Sequence, residues 1–290
     1  MNVLIIGASG MLGNAVVRVL SEKSDSCENL DLHVYGTVRS HSAKQYFNEQ
    51  IAANLIAGID VEQFDSVLTA FKLTKPNIVI NCVGLIKQLS SAEDPLQAIP
   101  INSLLPHKLA RLCAVANARL IHISTDCVFN GSKGNYLESD ASDAQDLYGK
   151  SKFLGEVDYA NAITIRTSII GHELNSKHAL VEWFLAQENE CNGFTKAVFS
   201  GLPTVVLAQI IRDVVIPNPN LTGVYHVAAK PINKFELISL VAEVYGKKIK
   251  INQSDNLVLD RSLNAERFKV ATGYEAQPWL QLIQQMHHYQ

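Results

Sequence analysis

Three residues of this 290-residue chain have the types and spacing of a proton-transfer site: Thr125, Tyr148 and Lys152. A free tyrosine titrates near pH ~10, so at neutral pH it is a reluctant proton donor or acceptor. A lysine ammonium held nearby stabilises the phenolate and lowers that value. Tyr148 and Lys152 stand four apart, which on a helix stacks them on one face. There the phenol could protonate the oxygen that develops as a carbonyl receives hydride, or remove the proton in reverse. Thr125 would donate or share a hydrogen bond at the same oxygen. The pair alone says little, since a chain with nine tyrosines shows a lysine four residues on by chance about half the time. Position carries the weight. Only Tyr148 of the nine has such a lysine, and it lies 23 residues past Thr125, at the end of an apolar strand-like run.

Hydride must come from a carrier, and the N-terminus has the form of a carrier site. Asn2 to Ile6 is a short apolar run of strand length, ended by Gly7, Gly10 and Gly13, and a helix-like run from Asn14 to Lys23 begins at once. In a strand, glycine turn and helix, backbone N–H groups and the positive helix end converge on an anion, and glycine lets the backbone come close. The competing reading, a tight turn without ligand, is weakened by that strand-to-helix context. A polar loop, Ser24 to Asp31, leads to a second strand, Leu32 to Val38. In dinucleotide folds an acid at this strand end bonds the ribose 2′-OH and favours NAD. Here the strand ends Val38-Arg39-Ser40 with no acid, and Arg39 could grip a 2′-phosphate instead, which leans the cofactor to NADP(H) over NAD(H). Lys152 could then also reach the nicotinamide ribose.

The intervening chain alternates strand and helix without repeats. A helical stretch from Ala43 to Gln50 and the segment Asn54 to Asp60 come first, and Val61 to Leu73 has apolar residues at helical spacing. Ile78 to Cys82 is fully apolar, like a strand buried on both faces, and runs into Val83-Gly84, a second point of close backbone approach. Pro100 to Asn117 reads as a long helix, Arg119 to Ser124 as a strand, and Tyr148 to about Tyr159 as a helix. This alternation predicts an α/β fold, a Rossmann-like doubly wound parallel sheet with its ligand outside the carboxyl ends of the strands.

Composition narrows the class. A formal net charge of −3 offers no electrostatic case for nucleic acid or an anionic membrane. No apolar run approaches the ~18 residues a membrane helix needs, and the N-terminus lacks the basic region of a signal peptide. Five cysteines, Cys27, Cys82, Cys113, Cys127 and Cys191, without a C-x-x-C fit reduced thiols in a cytoplasm. No carboxylate or histidine cluster has metal-ligand spacing.

At these residues the chain resembles the extended short-chain dehydrogenase/reductases, and more narrowly their dTDP-4-dehydrorhamnose reductase branch. The matching pieces are Gly7-Ala8-Ser9-Gly10-Met11-Leu12-Gly13, Asn81 to Gly84, Ile101-Asn102 with Pro106, Ser124 to Gly131, Tyr148 to Lys152 with Gly155-Glu156, Arg166 to Ser168, Gly201-Leu202-Pro203-Thr204 and Gly223 to His226. The resemblance implies a triad of Thr125, Tyr148 and Lys152 that reduces a 4-keto sugar with NADPH. It puts Gly7, Ser9, Gly10, Met11, Leu12 and Gly13 at the phosphates, Asp60 and Val61 at the adenine, and Cys82, Val83 and Gly84 on the nicotinamide side. Asn102 becomes a polar link near the lysine. It also divides the chain into an NADP-binding domain over 1–169, to which 204–228 returns, and a smaller α/β substrate-binding domain mainly over 170–290.

Two departures bear on the sugar. Relatives of the rhamnose type tend to carry an aromatic at Cys127 and a tryptophan at Ile169, both lining the sugar pocket, so stacking surface is lost. Lys87, past the fourth strand, could compensate by reaching a phosphate or acyl group. A dehydratase is disfavoured, because those relatives carry an acid where Cys127 stands. Asp126 reads as a loop cap. Asn175 to Asn189 reads as a helix, Glu190 to Lys196 as irregular, and Lys234 to Tyr245 and Pro278 to His288 as helices. Trp183 and Trp279 read as core packing, and His226 as a hydrogen-bonded residue beneath the site. The expected protein is a cytoplasmic NADPH-dependent reductase of a nucleotide-linked 4-keto-6-deoxysugar for surface polysaccharide. A nucleotide-sugar epimerase and a cofactor-binding regulatory subunit without turnover stay open, as does the oligomeric state, a homodimer being one option.

Overall fold

Strand β1 (Asn2–Ile6) takes the middle of the sheet because Val3, Leu4, Ile5 and Ile6 are all buried, whichever face they point to. The computed structural model of the chain describes residues 1–22, 31–86, 93–174 and 179–289. The polar stretch from Ser24 with Cys27, Lys87, and the first part of the helix read from Asn175 lie outside them. In chain order β2 (His33–Val38), β3 (Leu55–Ala57), β4 (Ile78–Asn81), β5 (Arg119–Thr125) and β6 (Ala162–Thr167) follow, and Gly223–His226 completes a seven-stranded sheet. Its order is Gly223–His226, β6, β5, β4, β1, β2, β3, and every pairing is parallel. The chain winds outward from β1 to β3, then restarts at β4 on the other side. The carboxyl ends of β1 and β4 therefore flank a crevice, the usual ligand position in such sheets.

Alternation along β1 feeds both layers. Val3 and Ile5 pack with Val16, Val17 and Val19 of the first helix (Met11–Ser21) and with Leu207 and Ala208 of the Thr204–Ile210 helix. Leu4 and Ile6 pack with Val67, Ala70 and Phe71 on one helix and Leu105, Leu109 and Cys113 on another. Each fully buried large apolar side chain contributes about 1.5–3 kcal/mol.

The helical stretch read over Ala43 to Gln50 is a 3-10 turn, His41–Tyr46, and a separate helix, Glu49–Ala53, and of the Asn175 to Asn189 helix the described residues form Leu180–Leu185. Three further elements differ from the sequence reading. The single helix over Pro100 to Asn117 is instead a π-turn, Ile99–Leu104, followed by the helix Leu105–Val115. Pro106 has no N–H for the Asn102 carbonyl, and the Leu105 N–H reaches back to the Pro100 carbonyl. The helix from Tyr148 stops at Leu154, not near Tyr159. Gly155 ends it, and a Cβ there would lie 1.9 Å from the Asn102 carbonyl oxygen. That contact seats the helix on the π-turn. The segment from Glu190 is no irregular loop but a strand, Glu190–Phe194, paired in parallel with Lys250–Ser254, a partner too remote for local patterning to reveal. Two more small sheets follow, a parallel pair of Ile169–Ile170 with Leu202–Pro203, and a three-stranded one of Ile232–Asn233, Ala197–Phe199 and Leu259–Asp260.

Candidate active site

The three N-terminal glycines differ in why they are glycine. Gly7 has φ +88°, and a Cβ on Gly13 would lie 2.0 Å from the Gly7 carbonyl oxygen, so both are demanded by the turn itself. A Cβ on Gly10 would meet nothing nearer than 3.5 Å, an ordinary contact. The protein's own packing does not require that glycine. Gly10 is exposed at the N-cap of the first helix, where no side chain caps the first-turn N–H groups. The open space and uncapped donors fit a dinucleotide pyrophosphate. Ser9 is exposed beside Gly10, Met11 is half-buried, and Leu12 points into the core, leaving its backbone to the ligand.

Arg39 is exposed just past β2. Asp60 and Val61 are half-buried past β3, where Asp60 Oδ1 accepts the Glu62 N–H at 3.1 Å. Cys82, Val83 and Gly84 follow β4, and Val83 lies against Gly7, so the two loops meet. Burial pushes the Cys82 thiol up to about 12, leaving it protonated.

Across the crevice, Asp146 Oδ1 accepts the Gly149 N–H at 2.8 Å and starts the Leu147–Leu154 helix. A Cβ on Gly149 would lie 2.2 Å from the Cys127 carbonyl oxygen, so the helix lies directly on the turn after β5. This brings Tyr148 to Thr125. Asn102 braces the arrangement. Its Oδ1 accepts the Leu85 N–H at 2.9 Å, its Nδ2 donates to Ser151 Oγ at 3.1 Å, and Ser151 Oγ donates to the Tyr148 carbonyl at 2.9 Å.

Lys152 is buried, and its Nζ donates to the Ile123 carbonyl at 2.8 Å. Burial lowers it to about 8, while the Glu156 carboxylate favours its charge. Thr125 Oγ1 donates to Asp126 Oδ1 at 3.1 Å and accepts the Cys127 N–H at 3.1 Å. The sequence argument has lysine lowering the tyrosine. The structure differs: burial, then the neighbouring Cys127, push the Tyr148 phenol well up, and the Thr125 hydroxyl only partly opposes them. The Lys152 ammonium is engaged by the Ile123 carbonyl, so Tyr148 holds its proton at neutral pH.

Behind the lysine lies a network in which the sequence reading assigns a place to His226 alone, as a hydrogen-bonded residue beneath the site, and none to the Arg166–Glu156 pair. Arg166 donates to Glu156 through Nε (2.7 Å) and Nη2 (2.6 Å), and Ser124 Oγ donates to the same carboxylate at 2.7 Å. Both partners of this ion pair are buried. His226 is buried with Nε2 3.3 Å from Arg166 Nη1, and burial followed by the guanidinium lowers it to about 3, so it is neutral. Glu156 stands four residues past Lys152, the same spacing that singles out Lys152, and that was its signal. His122 and Asn81 share a hydrogen bond at 3.1 Å, and burial holds His122 neutral.

Beside Thr125, Cys127 is half-buried, and its Sγ accepts a hydrogen bond from Arg261 Nη1 at 3.5 Å. Ile169 is half-buried and pairs with Leu202. Lys87 is outside the described residues. Trp279 is buried with Nε1 donating to the Lys230 carbonyl at 2.7 Å, while Trp183 is partly exposed. Among the described residues no three or more His, Cys, Asp or Glu side chains gather as metal ligands, and no helix is long and apolar enough to cross a membrane.

Comparison with known proteins places this geometry among relatives. Residues 1–281 match the model of the RmlD substrate binding domain. A dTDP-4-dehydrorhamnose reductase of Aggregatibacter actinomycetemcomitans is 25% identical over 238 residues, 79% of this chain and 73% of that protein. A methionine adenosyltransferase 2 subunit beta of Xenopus laevis is 25% identical over 257 residues, 83% and 71% of the two chains. The crystal structure of a dTDP-4-dehydrorhamnose reductase from Bacillus anthracis, in complex with NADP, superposes with TM-score 0.77 at 19% identity over 100% of this chain and 99% of that one.

Proposed function

The chain belongs to the RmlD substrate binding domain family, and from that footing we propose that it is an NADPH-dependent reductase of the 4-keto group of a nucleotide-linked 4-keto-6-deoxysugar. The observation that carries the reading is the docking of the Leu147–Leu154 helix on the turn after β5, which brings a protonated Tyr148 to Thr125 beside a buried Lys152. The reductase from Aggregatibacter and the NADP complex from Bacillus support it. The reading carries with it a cytoplasmic place and a part in making surface-polysaccharide precursors.

NADPH held at the glycine turn would supply hydride. The remaining work belongs to side chains of this protein. Thr125 Oγ1 hydrogen-bonds the ketone oxygen, and Tyr148 gives that oxygen its proton, so ketone, hydride and proton make the alcohol. Lys152 stabilises the phenolate left behind. Burial keeps Tyr148 protonated, the form that reduction consumes. The reverse reaction would begin from a phenolate that the site disfavours.

The test is NADPH oxidation, followed at the nicotinamide absorbance, with a panel of dTDP- and UDP-linked 4-keto-6-deoxysugars. Turnover with one sugar names the substrate. With that sugar, kcat/KM should fall above about pH 8, the value to which burial brings Lys152, because its ammonium is lost as pH rises. A profile flat to pH ~10 would remove Lys152 from the proposed role. For Arg39→Gln we expect the KM for NADPH to rise by roughly tenfold, the worth of a charge-assisted phosphate contact, with that for NADH little changed. Equal loss with both cofactors would refute a 2′-phosphate contact.

A second reading, a regulatory subunit that binds NADP without turnover, is favoured by the likeness to the methionine adenosyltransferase 2 subunit beta. NADPH binding with no oxidation on any sugar of the panel would support it over the reductase.

A further inference from the structure

Two cations to which the proposed reaction gives no task gather at Asp126 and Cys127, the residues that follow Thr125. The small sheet of the second half delivers both. Ile232–Asn233 and Leu259–Asp260 flank Ala197–Phe199 on opposite sides, with Asn233 and Asp260 both opposite Val198. The residue just past each strand is the cation, Lys234 at the start of the Lys234–Val244 helix on one side and Arg261 on the other.

Arg261 is fixed in place. Its Nε donates to the Phe129 carbonyl at 2.8 Å and its Nη1 to Cys127 Sγ at 3.5 Å. The segment that carries it is sewn to the loop after β5, since the Asp260 N–H donates to the Gly131 carbonyl and the Tyr136 N–H to the Ser262 carbonyl, each at 2.8 Å. Asp260 Oδ1 accepts the Ser262 N–H at 2.9 Å. No carboxylate among the described residues pairs with Arg261 or Lys234 within ion-pair distance. The one acid facing both is Asp126, and burial pushes its carboxyl up, towards the neutral form. Lys234 is half-buried and its charge is disfavoured by burial. A partly desolvated cation without a paired anion is costly, and an incoming oxyanion would relieve it. Among the described residues Arg261 Nη2 has no hydrogen-bond partner, and the guanidinium fork suits phosphate or carboxylate.

We propose that Arg261 and Lys234 form an oxyanion site in the substrate pocket, one that holds a phosphate or carboxylate of the substrate beside Cys127 and Thr125. The proposal rests on the nucleotide-sugar reading, and its two sources are the substrate diphosphate and a carboxylate on the sugar ring. Arg261 and Lys234 then select substrates by charge, while Thr125 and Tyr148 act on the carbonyl.

The experiment is calorimetric titration of the full chain, with and without saturating NADP, by inorganic pyrophosphate and in a second arm by glucuronate. Arg261→Gln and Lys234→Gln should each weaken binding of one probe about tenfold, and together more, with NADP affinity unchanged. Weakening confined to pyrophosphate identifies the diphosphate, and weakening confined to glucuronate a ring carboxylate. Arg261→Lys should retain part of the affinity. Among the described residues the Lys234 side chain makes no hydrogen bond, so Lys234→Gln keeps the test valid should Arg261→Gln melt early. A wild-type protein that binds neither probe, or variants that bind both as well as wild type, would overturn the site. Failure to bind NADP would instead sink the reductase reading, leaving the anion titration to judge the site on its own.

Discussion

Tyr148→Phe is expected to lower NADPH-dependent turnover by about 10²–10⁴-fold, the usual contribution of one positioned proton donor, while NADP affinity stays nearly unchanged. The substitution removes a single oxygen from a residue already set in place by its neighbours. The Leu147–Leu154 helix is held by Asp146 at its start, by Gly149 on the Cys127 carbonyl and by Gly155 on the Asn102 carbonyl, and none of these uses the phenol. The loss should therefore appear in kcat. Stopped-flow NADPH oxidation with the responding sugar measures it, and cofactor titration by fluorescence checks binding. Wild-type turnover in the Phe variant would remove Tyr148 as proton donor. A protein that never turned over, with or without the phenol, would point to the regulatory reading.

Arg166→Met should destabilise the fold by about 3–5 kcal/mol, because it leaves the Glu156 carboxylate buried and unpaired. In a chain of this size that lowers the melting temperature on the order of 10 °C. Three of the hydrogen bonds to that carboxylate come from two donors, Arg166 and Ser124, and both members of the ion pair are almost fully covered. Thermal unfolding by circular dichroism gives the value. The double variant Arg166→Met, Glu156→Gln should recover part of the loss, since the orphaned charge is gone. Were the double variant no better than the single one, repacking around Phe129, which lies against the guanidinium, would be the cause instead.

Much of the frame was legible in the chain because its signals are local. A strand ended by glycines at 7, 10 and 13, apolar strands alternating with helical spacing, and a tyrosine four residues before a lysine each depend on neighbours in sequence. Backbone geometry turns such spacings into position: a strand buries both faces when every residue is apolar, and a four-residue step returns to the same side of a helix. The same alternation makes the sheet parallel, with right-handed crossovers, while the order of strands about β1 is seen only in the fold.

What the tertiary structure decided has the opposite character. The strand Glu190–Phe194 exists because Lys250–Ser254 lies beside it. The π-turn at Asn102 acquires its use only when Gly155 closes on it. Arg261 reaches Cys127 across 134 residues, and Glu156 finds Arg166 on the adjoining strand. Even the direction of a proton's preference was out of reach: the sequence argued for a lowered Tyr148, and burial raised it. Desolvation sums over every element packed around a group, wherever those elements stand in the chain. Residue types and short spacings could therefore name the groups that handle the proton, but their charge states, and the cations facing them, were set by segments that only folding brings together.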